Sequence, residues 1–342
     1  MNAGAALLCV LAFALAALLA WSAIAYAHRR GLLDTPGRRR SHELPTPRGG
    51  GIGIVAGALA CAVPALLYWP GGVSSRLVAA FAAAALLVAA TGWWDDHRAL
   101  PVLPRLLAQL VAAVAFVAVL VGDTTLGAWW LPPLVVLAAW SINLHNFMDG
   151  IDGLLGAQAL FTGAAFAVIA GVAGQPALAL ACAGLAAACA GFLLFNWPPA
   201  RIFMGDVGSG FVGALVFMLA ALLCVRAPAL AWPLLIVCSA FVVDAGLTLA
   251  WRMLRGRRWY TAHREHLYQY LVRRGWTHAR TGCLYMLWNL LLAVPFAWMA
   301  MRQPALAPLL CATLYVLAAV LWWRGRRACM RRPHRMRRTS HA

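Results

Sequence analysis

The chain has 342 residues, 63% of them hydrophobic and only 11% charged, with a formal net charge of +18. A soluble domain carries about 25% charged residues, so a soluble enzyme of this size is excluded, and so is a disordered chain. A polytopic membrane protein remains, because each helical span needs about 20 apolar residues.

Apolar runs follow one another at 3–27, 51–69, 76–94, 105–121, 131–148, 153–171, 177–197, 210–226, 228–250, 283–301 and 304–323. They predict an all-α transmembrane bundle of about eleven spans. The first run is too long for a signal-peptide core and is kept as a true span. A single membrane domain is expected over 1–323, followed by a basic tail at 324–342. The nine Cys lie mostly inside these runs without a CxxC, which reads as packing rather than a disulfide or metal framework.

All 28 Lys and Arg positions are Arg. With the N-terminus outside, the cytoplasmic segments are 28–50, 95–105, 149–152, 198–209, 251–282 and 324–342. These hold 25 of the arginines, leaving Arg76, Arg226 and Arg302 outside. That asymmetry obeys the positive-inside rule and puts the C-terminus in the cytoplasm. Arginines confined to short inter-span segments argue for headgroup contact and against nucleic acid.

Eight of the ten carboxylates also fall on the cytoplasmic side, in segments best taken in chain order. LLDTPGRRRSHELPTPRGGGIGI is kept non-helical by Pro36, Pro45 and Pro47, and it carries Arg48. In GWWDDHRALPVLPR, Asp95 and Asp96 are expected at the surface. Adjacent carboxylates repel unless they share a cation, from Arg98, Arg105 or a metal. In SINLHNFMDGIDGLLG, Asn143, Asn146, Asp149 and Asp152 recur every third residue. Gly150 and Gly153 favour a helix end near Met148, with both acids on a tight turn. In NWPPARIFMGDVGSGFVG, Asp206 and Ser209 stand among glycines before a span. They read either as helix N-caps or as a metal–phosphate cradle. RRWYTAHREHLYQYLVRRGW offers His263, Arg264 and His266 as an anion or nucleotide contact, and no HExxH for zinc. Asp244 lies inside a span, roughly 12 Å below its cytoplasmic end. A buried Asp costs about 2.5–3.5 kcal/mol on insertion scales, so it is expected to face a polar cavity or pair with a cation.

These segments predict an active site at the cytoplasmic face, with acids for a hard cation and arginines for phosphates. That chemistry suits transfer of a phosphorylated group from a soluble donor to a lipid. A transporter is the competing class, but its ionisable groups belong near the midplane.

PRGG at 47–50, the pair Asp95–Asp96, NFMDGIDG at 146–153, FMGDVGS at 203–209 and HREH at 263–266 together resemble the polyprenyl-phosphate N-acetylhexosamine-1-phosphate transferases of glycosyltransferase family 4. The resemblance implies Mg²⁺, replaceable by Mn²⁺, on Asp206 with Asn146 as a second contact. It implies catalytic roles for Asp95, Asp96, Asp149 and Asp152. Substrate contacts are implied for Arg48, Asn143, Phe203, His263, Arg264 and His266. The expected partners are a UDP-N-acetylhexosamine, undecaprenyl phosphate and membrane lipids, with homodimerisation left open. The expected location is the bacterial cytoplasmic membrane. The peptidoglycan branch of the family has three successive His and a Lys near the DD pair. This chain has HREH and no Lys, and looks more like the O-antigen or exopolysaccharide-initiating branch.

Overall fold

The computed structural model describes residues 3–34, 45–258 and 263–331. The described chain is helical apart from two short strands, β1 (Leu33–Asp34) and β2 (Thr46–Pro47), which pair antiparallel. The helices are α1 (Ala3–Arg30), α2 (Ile52–Tyr68), α3 (Ser75–His97), α4 (Val102–Gly122), α5 (Leu131–Phe147), α6 (Leu154–Val172) and α7 (Pro176–Asn196). They continue as α8 (Asp206–Arg226), α9 (Ala231–Leu254), the short α10 (Leu267–Arg273), α11 (His278–Trp288), α12 (Val294–Arg302) and α13 (Ala307–Arg331). A π-helical turn, Asn289–Ala293, joins α11 to α12, so the pair crosses as one element.

Among the described residues, nine helical segments are long and apolar enough to span a bilayer. The 17-residue α2 and α5 account for the other two apolar runs. The protein is thus an all-α, multi-pass membrane bundle. Helix α8 is almost wholly buried and packs on α3 and α5. A second group, α1, α2, α6 and α7, closes one flank, and α9, α12 and α13 the other. Small residues let these helices approach where lipid supplies no hydrophobic drive. The faces of Gly53 and Gly57 on α2 rest against the backbone of Ala16 and Ala12 on α1.

Helix ends decide where chemistry can occur. The C-terminal ends of α3, α5, α7 and α9 and the N-terminal ends of α4, α6, α8 and α11 carry the polar segments and meet at one face. The C-terminal end of α1 joins them, through Tyr26 stacked on Trp93. At the opposite face, Arg226 donates to the Gly72 carbonyl (2.6 Å) and Arg76 approaches Asp123 (3.8 Å).

Three sequence expectations shift. Helix α8 begins at Asp206, not at 210, because its first N–H groups find an acceptor on another helix. Helix α13 runs on to Arg331, so the first residues assigned to the tail are helical; the rest of that tail lies outside the described residues. Asp244 collects hydrogen bonds from neutral donors on α10, α11 and α13 and from Thr248 of its own helix, rather than pairing with a cation among the described residues.

Candidate active site

Asp95 and Asp96 end α3, and both are buried, at 8% and 7% exposure, rather than lying at the surface as expected. Their partners explain why. Asp96 accepts from the backbone N–H groups of Asp206 (3.0 Å) and Val207 (3.1 Å), the first two residues of α8. Gly205 precedes them with φ +77° and offers no side-chain cap, so the cap of α8 comes from α3. A side chain at 205 would also fail for lack of space, since its Cβ would stand 2.5 Å from Asp96 Oδ2. A carboxylate at a helix N-terminus is favoured by the free N–H groups and the dipole. Arg48 Nε lies 3.3 Å from the same carboxylate. Burial alone would lower the Arg48 pKa, but the field of Asp96, Asp206 and other acids raises it.

Asp95 accepts from the Leu100 N–H (2.6 Å) and from Arg105 Nη1 (2.6 Å). Arg105 also stands 3.7 Å from Asp206. Of the two arginines the sequence offered as counter-charge, Arg105 serves Asp95 and Arg98 is exposed; Asp96 is served instead by Arg48. Asp95 and Asp206 themselves approach within hydrogen-bonding distance.

Helix α5 ends at Phe147 and Met148 is its C-cap, where the sequence placed the break. The turn 148–153 closes through Gly153 at φ +73°. Asn146 donates to Asp206 Oδ1, and also to Ser209 Oγ (3.0 Å). Asn143 donates to Gln109 (2.7 Å) deeper in the bundle. Asp149 is partly buried; desolvation, with the nearby Asp206 and Asp96 charges, pushes its pKa up to about 8. Asp152 points across the loop, accepting from the Ala200 N–H (3.1 Å) and lying 3.1 Å from His278 Nδ1.

The 203–206 and 47–51 segments run alongside one another. The Phe203 N–H donates to the Pro47 carbonyl (2.8 Å), Gly50 to Phe203 (3.0 Å) and Gly51 to Met204 (2.9 Å). This ladder carries Arg48 to Asp96 and sets Phe203 at the rim. The HREH segment reaches the same face from the other flank. Phe147 lies against the His263 and His266 rings (centroids 6.4 and 6.2 Å), and the Tyr268 hydroxyl donates to the Phe147 carbonyl (2.9 Å). Burial pushes His263 down to about 4 and lowers His266 too, so both imidazoles are neutral at pH 7. Arg264 is then the cation of that segment.

A pocket beneath the carboxylates is lined by Thr91, Gly92, Arg105, Gln109, Asn143, Asn146 and Asp206. Among the described residues, no three His, Cys, Asp or Glu side chains converge as a closed metal site. The donor set nevertheless fits a hard divalent cation. Two carboxylates within hydrogen-bonding distance must share a proton or a cation, and Mg²⁺ takes one or two carboxylates plus waters and substrate phosphates. Asn146 presents its amide nitrogen to Asp206; turned over, the same amide presents its oxygen.

The structure therefore gathers Arg48, Asp95, Asp96, Asn146, Asp149 and Asp206 into one cluster, with Phe203, His263, Arg264 and His266 around it. Asn143 lies below it and Asp152 beside it. Sequence reasoning passed over Gln109 and His278. Gln109, a polar residue inside the 105–121 run, carried the usable signal, because such a group needs a partner in lipid.

The model of glycosyl transferase family 4 matches residues 78–224, a stretch that holds the DD pair, the 143–152 segment and Asp206. Over that stretch the chain is similar to this family. Among its relatives, a decaprenyl-phosphate N-acetylglucosaminephosphotransferase of Mycolicibacterium smegmatis is 29% identical over 86% of this chain and 82% of its own length. An undecaprenyl-phosphate alpha-N-acetylglucosaminyl 1-phosphate transferase of Yersinia pestis is 28% identical over 91% of this chain and 90% of its own. A phospho-N-acetylmuramoyl-pentapeptide-transferase of Bacillus cytotoxicus is 37% identical, over 35% of this chain and 41% of its own length. The chain is accordingly a multi-pass membrane protein similar to the transferases of this family.

Proposed function

We propose that this protein transfers N-acetylhexosamine-1-phosphate from a UDP-sugar to undecaprenyl phosphate, releasing UMP, and so starts a lipid-linked cell-surface polysaccharide. The observation that carries this reading is the convergence of Asp95, Asp96, Asn146, Asp149 and Asp206 with Arg48 and Arg105 at one end of a membrane bundle. A lipid phosphate and a soluble diphosphate could both reach that end. Relatives aligned over most of their length are named as N-acetylglucosamine phosphate transferases of decaprenyl and undecaprenyl phosphate, which supports this reading.

The attacker is a phosphate monoester. By analogy with phosphoserine its second pKa is about 6, so it is largely a dianion at pH 7 and a general base adds little. The harder task is to bring it against a diphosphate. Asp206 with Asn146 would hold Mg²⁺, or Mn²⁺ in its place, which neutralises phosphate charge and aligns the reacting oxygens. Arg48 and Arg105 supply fixed positive charge on either side. Asp95 and Asp96 hold those arginines, and Asp96 also fixes the start of α8 that presents Asp206. Asp149 faces the same charge cluster. Asp152 holds the 198–205 loop through the Ala200 N–H. Phe203 stacks near the uracil, and the HREH segment contacts the sugar or diphosphate.

The arginine asymmetry supports a cytoplasmic site in the bacterial inner membrane, with the N-terminus outside. HREH in place of a His triplet supports the O-antigen or exopolysaccharide branch over the muramoyl-pentapeptide branch named for the Bacillus cytotoxicus relative. The test is UMP release by the purified protein with undecaprenyl phosphate and a panel of UDP-sugars, including UDP-MurNAc-pentapeptide. A simple UDP-N-acetylhexosamine should turn over and the pentapeptide donor should not. Comparable rates with both would overturn the branch, and no UMP from any donor would overturn the reaction.

A further inference from the structure

Residues 263–268 carry His263, Arg264 and His266 yet lie in no membrane-crossing helix. A clasp from two such helices holds them. Asp244 of α9, 2% exposed, accepts from the N–H groups of Leu267 (2.7 Å) and Tyr268 (3.4 Å), the first residues of α10. It also accepts from the Tyr285 hydroxyl (2.6 Å) and from Trp322 Nε1 of α13 (3.0 Å). One residue before His266, Glu265 pairs with Arg252 of α9, with Arg257 (2.9 Å) and with Arg326 of α13 (3.6 Å).

Arg326 is the unusual member. It is 2% exposed, and two of its nitrogens, Nε and Nη1, have no hydrogen-bond partner among the described residues. Arg is seldom buried unless paired. Its guanidinium lies over the rings of Trp251 (4.8 Å) and Trp322 (5.2 Å), within cation–π range of both. The chain thus buries a cation in an aromatic box at the end of α13 and aims it at the HREH segment.

We infer that α13 is part of the donor-binding apparatus, with Arg326 a positioning residue that acts through Glu265 while Trp322 acts through Asp244. Together they press residues 263–268 against Phe147 and set the angle at which His263, Arg264 and His266 face the site. This inference rests on the reading that the HREH segment contacts the UDP-sugar. Neither α13 nor HREH lies within the stretch matched by the family model.

The test is steady-state kinetics of the full chain in lipid nanodiscs, with R326M, R326K, E265Q, W322F and the reference variant H266A. R326M should raise the KM for the UDP-sugar about tenfold, because its contacts are mis-set, and leave the KM for undecaprenyl phosphate within about twofold. R326K keeps the charge but not the flat face that stacks, and should fall between R326M and wild type. The double variant R326M/E265Q should be no worse than R326M, since the two act as one unit. A role in packing alone would lower the melting temperature and the active fraction, and therefore kcat, with the donor KM unchanged. That result overturns the inference. If H266A also leaves the donor KM unchanged, the donor reading of HREH has failed; if H266A raises it and R326M does not, only the clasp has failed. Should R326M not be recovered from membranes, E265Q and W322F make the same comparison.

Discussion

Gly92 lies three residues before Asp95 on α3, facing the first turn of α8. In an ordinary helix interior, Gly→Ala stabilises by about 1 kcal/mol. Here a Cβ would stand 2.6 Å from the Val207 nitrogen and closer still to the Asp206 carbonyl, where real Cβ atoms essentially never come under 3.0 Å. The obstacle is backbone, so no side-chain rotation relieves it. Helix α3 must retreat by about 1 Å, and overpacking of this kind costs about 1–3 kcal/mol. The clash therefore offsets or outweighs the helix-propensity gain, for a net loss of up to about 2 kcal/mol. Activity should suffer more, because the retreat carries Asp95 and Asp96 away from Asp206. A 1 Å misplacement costs about 10²-fold in rate. Thermal unfolding in detergent should show a small decrease, and UMP release a loss of about 100-fold. Gly171, which a Cβ would leave without a neighbour within 4 Å, supplies the control G171A, expected to match wild type in turnover and to melt no lower. Wild-type turnover in G92A would refute the claim that α3–α8 contact distance sets the site.

The carboxylates give further tests. Asp96 bonds two backbone N–H groups, and Asn has one acceptor oxygen. D96N should therefore lose a charge-assisted bond worth about 1.5–3 kcal/mol. Asp95 likewise uses both oxygens, on the Leu100 N–H and Arg105, so D95N should lose as much, and both should lose about 10²-fold in turnover or more; unchanged melting with full activity would remove the pair from the site. D206N keeps the shape and removes the charge, so it should insert normally, show almost no UMP release and lose Mg²⁺ dependence. Wild-type turnover with unchanged Mg²⁺ dependence would move the cation to Asp149 or Asp152. Asp149, held up at about 8, keeps its proton at pH 7. Cation binding nearby favours the ionised form, so a Mn²⁺ titration should show tighter binding at pH 8.5 than at 6.5, and D149N should reduce that difference without abolishing it, because the other clustered carboxylates also bind protons. Equal affinity at both pH values in the wild type would remove Asp149 from the site. A phosphatase fused after Ala342 should be inactive in intact cells, and periplasmic activity would sink the eleven-span orientation.

Much of this protein was written in its sequence. Apolar runs of span length can only become helices in lipid, because no water is there to satisfy an exposed backbone. The break near Met148 was legible because Gly150 and Gly153 interrupt a run of helix formers. Tertiary structure decided what the carboxylates touch. GDVGSG reads as a loop until Asp96, 110 residues earlier, caps its N–H groups and turns it into the start of α8. Asp95 and Asp96 read as surface residues because two adjacent acids look too costly to bury. They are buried because Arg48 and Arg105, brought in from two other segments, neutralise them. Asp244 and Arg326 read as an intramembrane acid and a tail cation, and only the packing of α9 against α13 sets both around one polar segment. Local composition fixes which residues must leave water, whereas the partner that makes a buried charge tolerable is chosen by contacts that no spacing in the chain encodes.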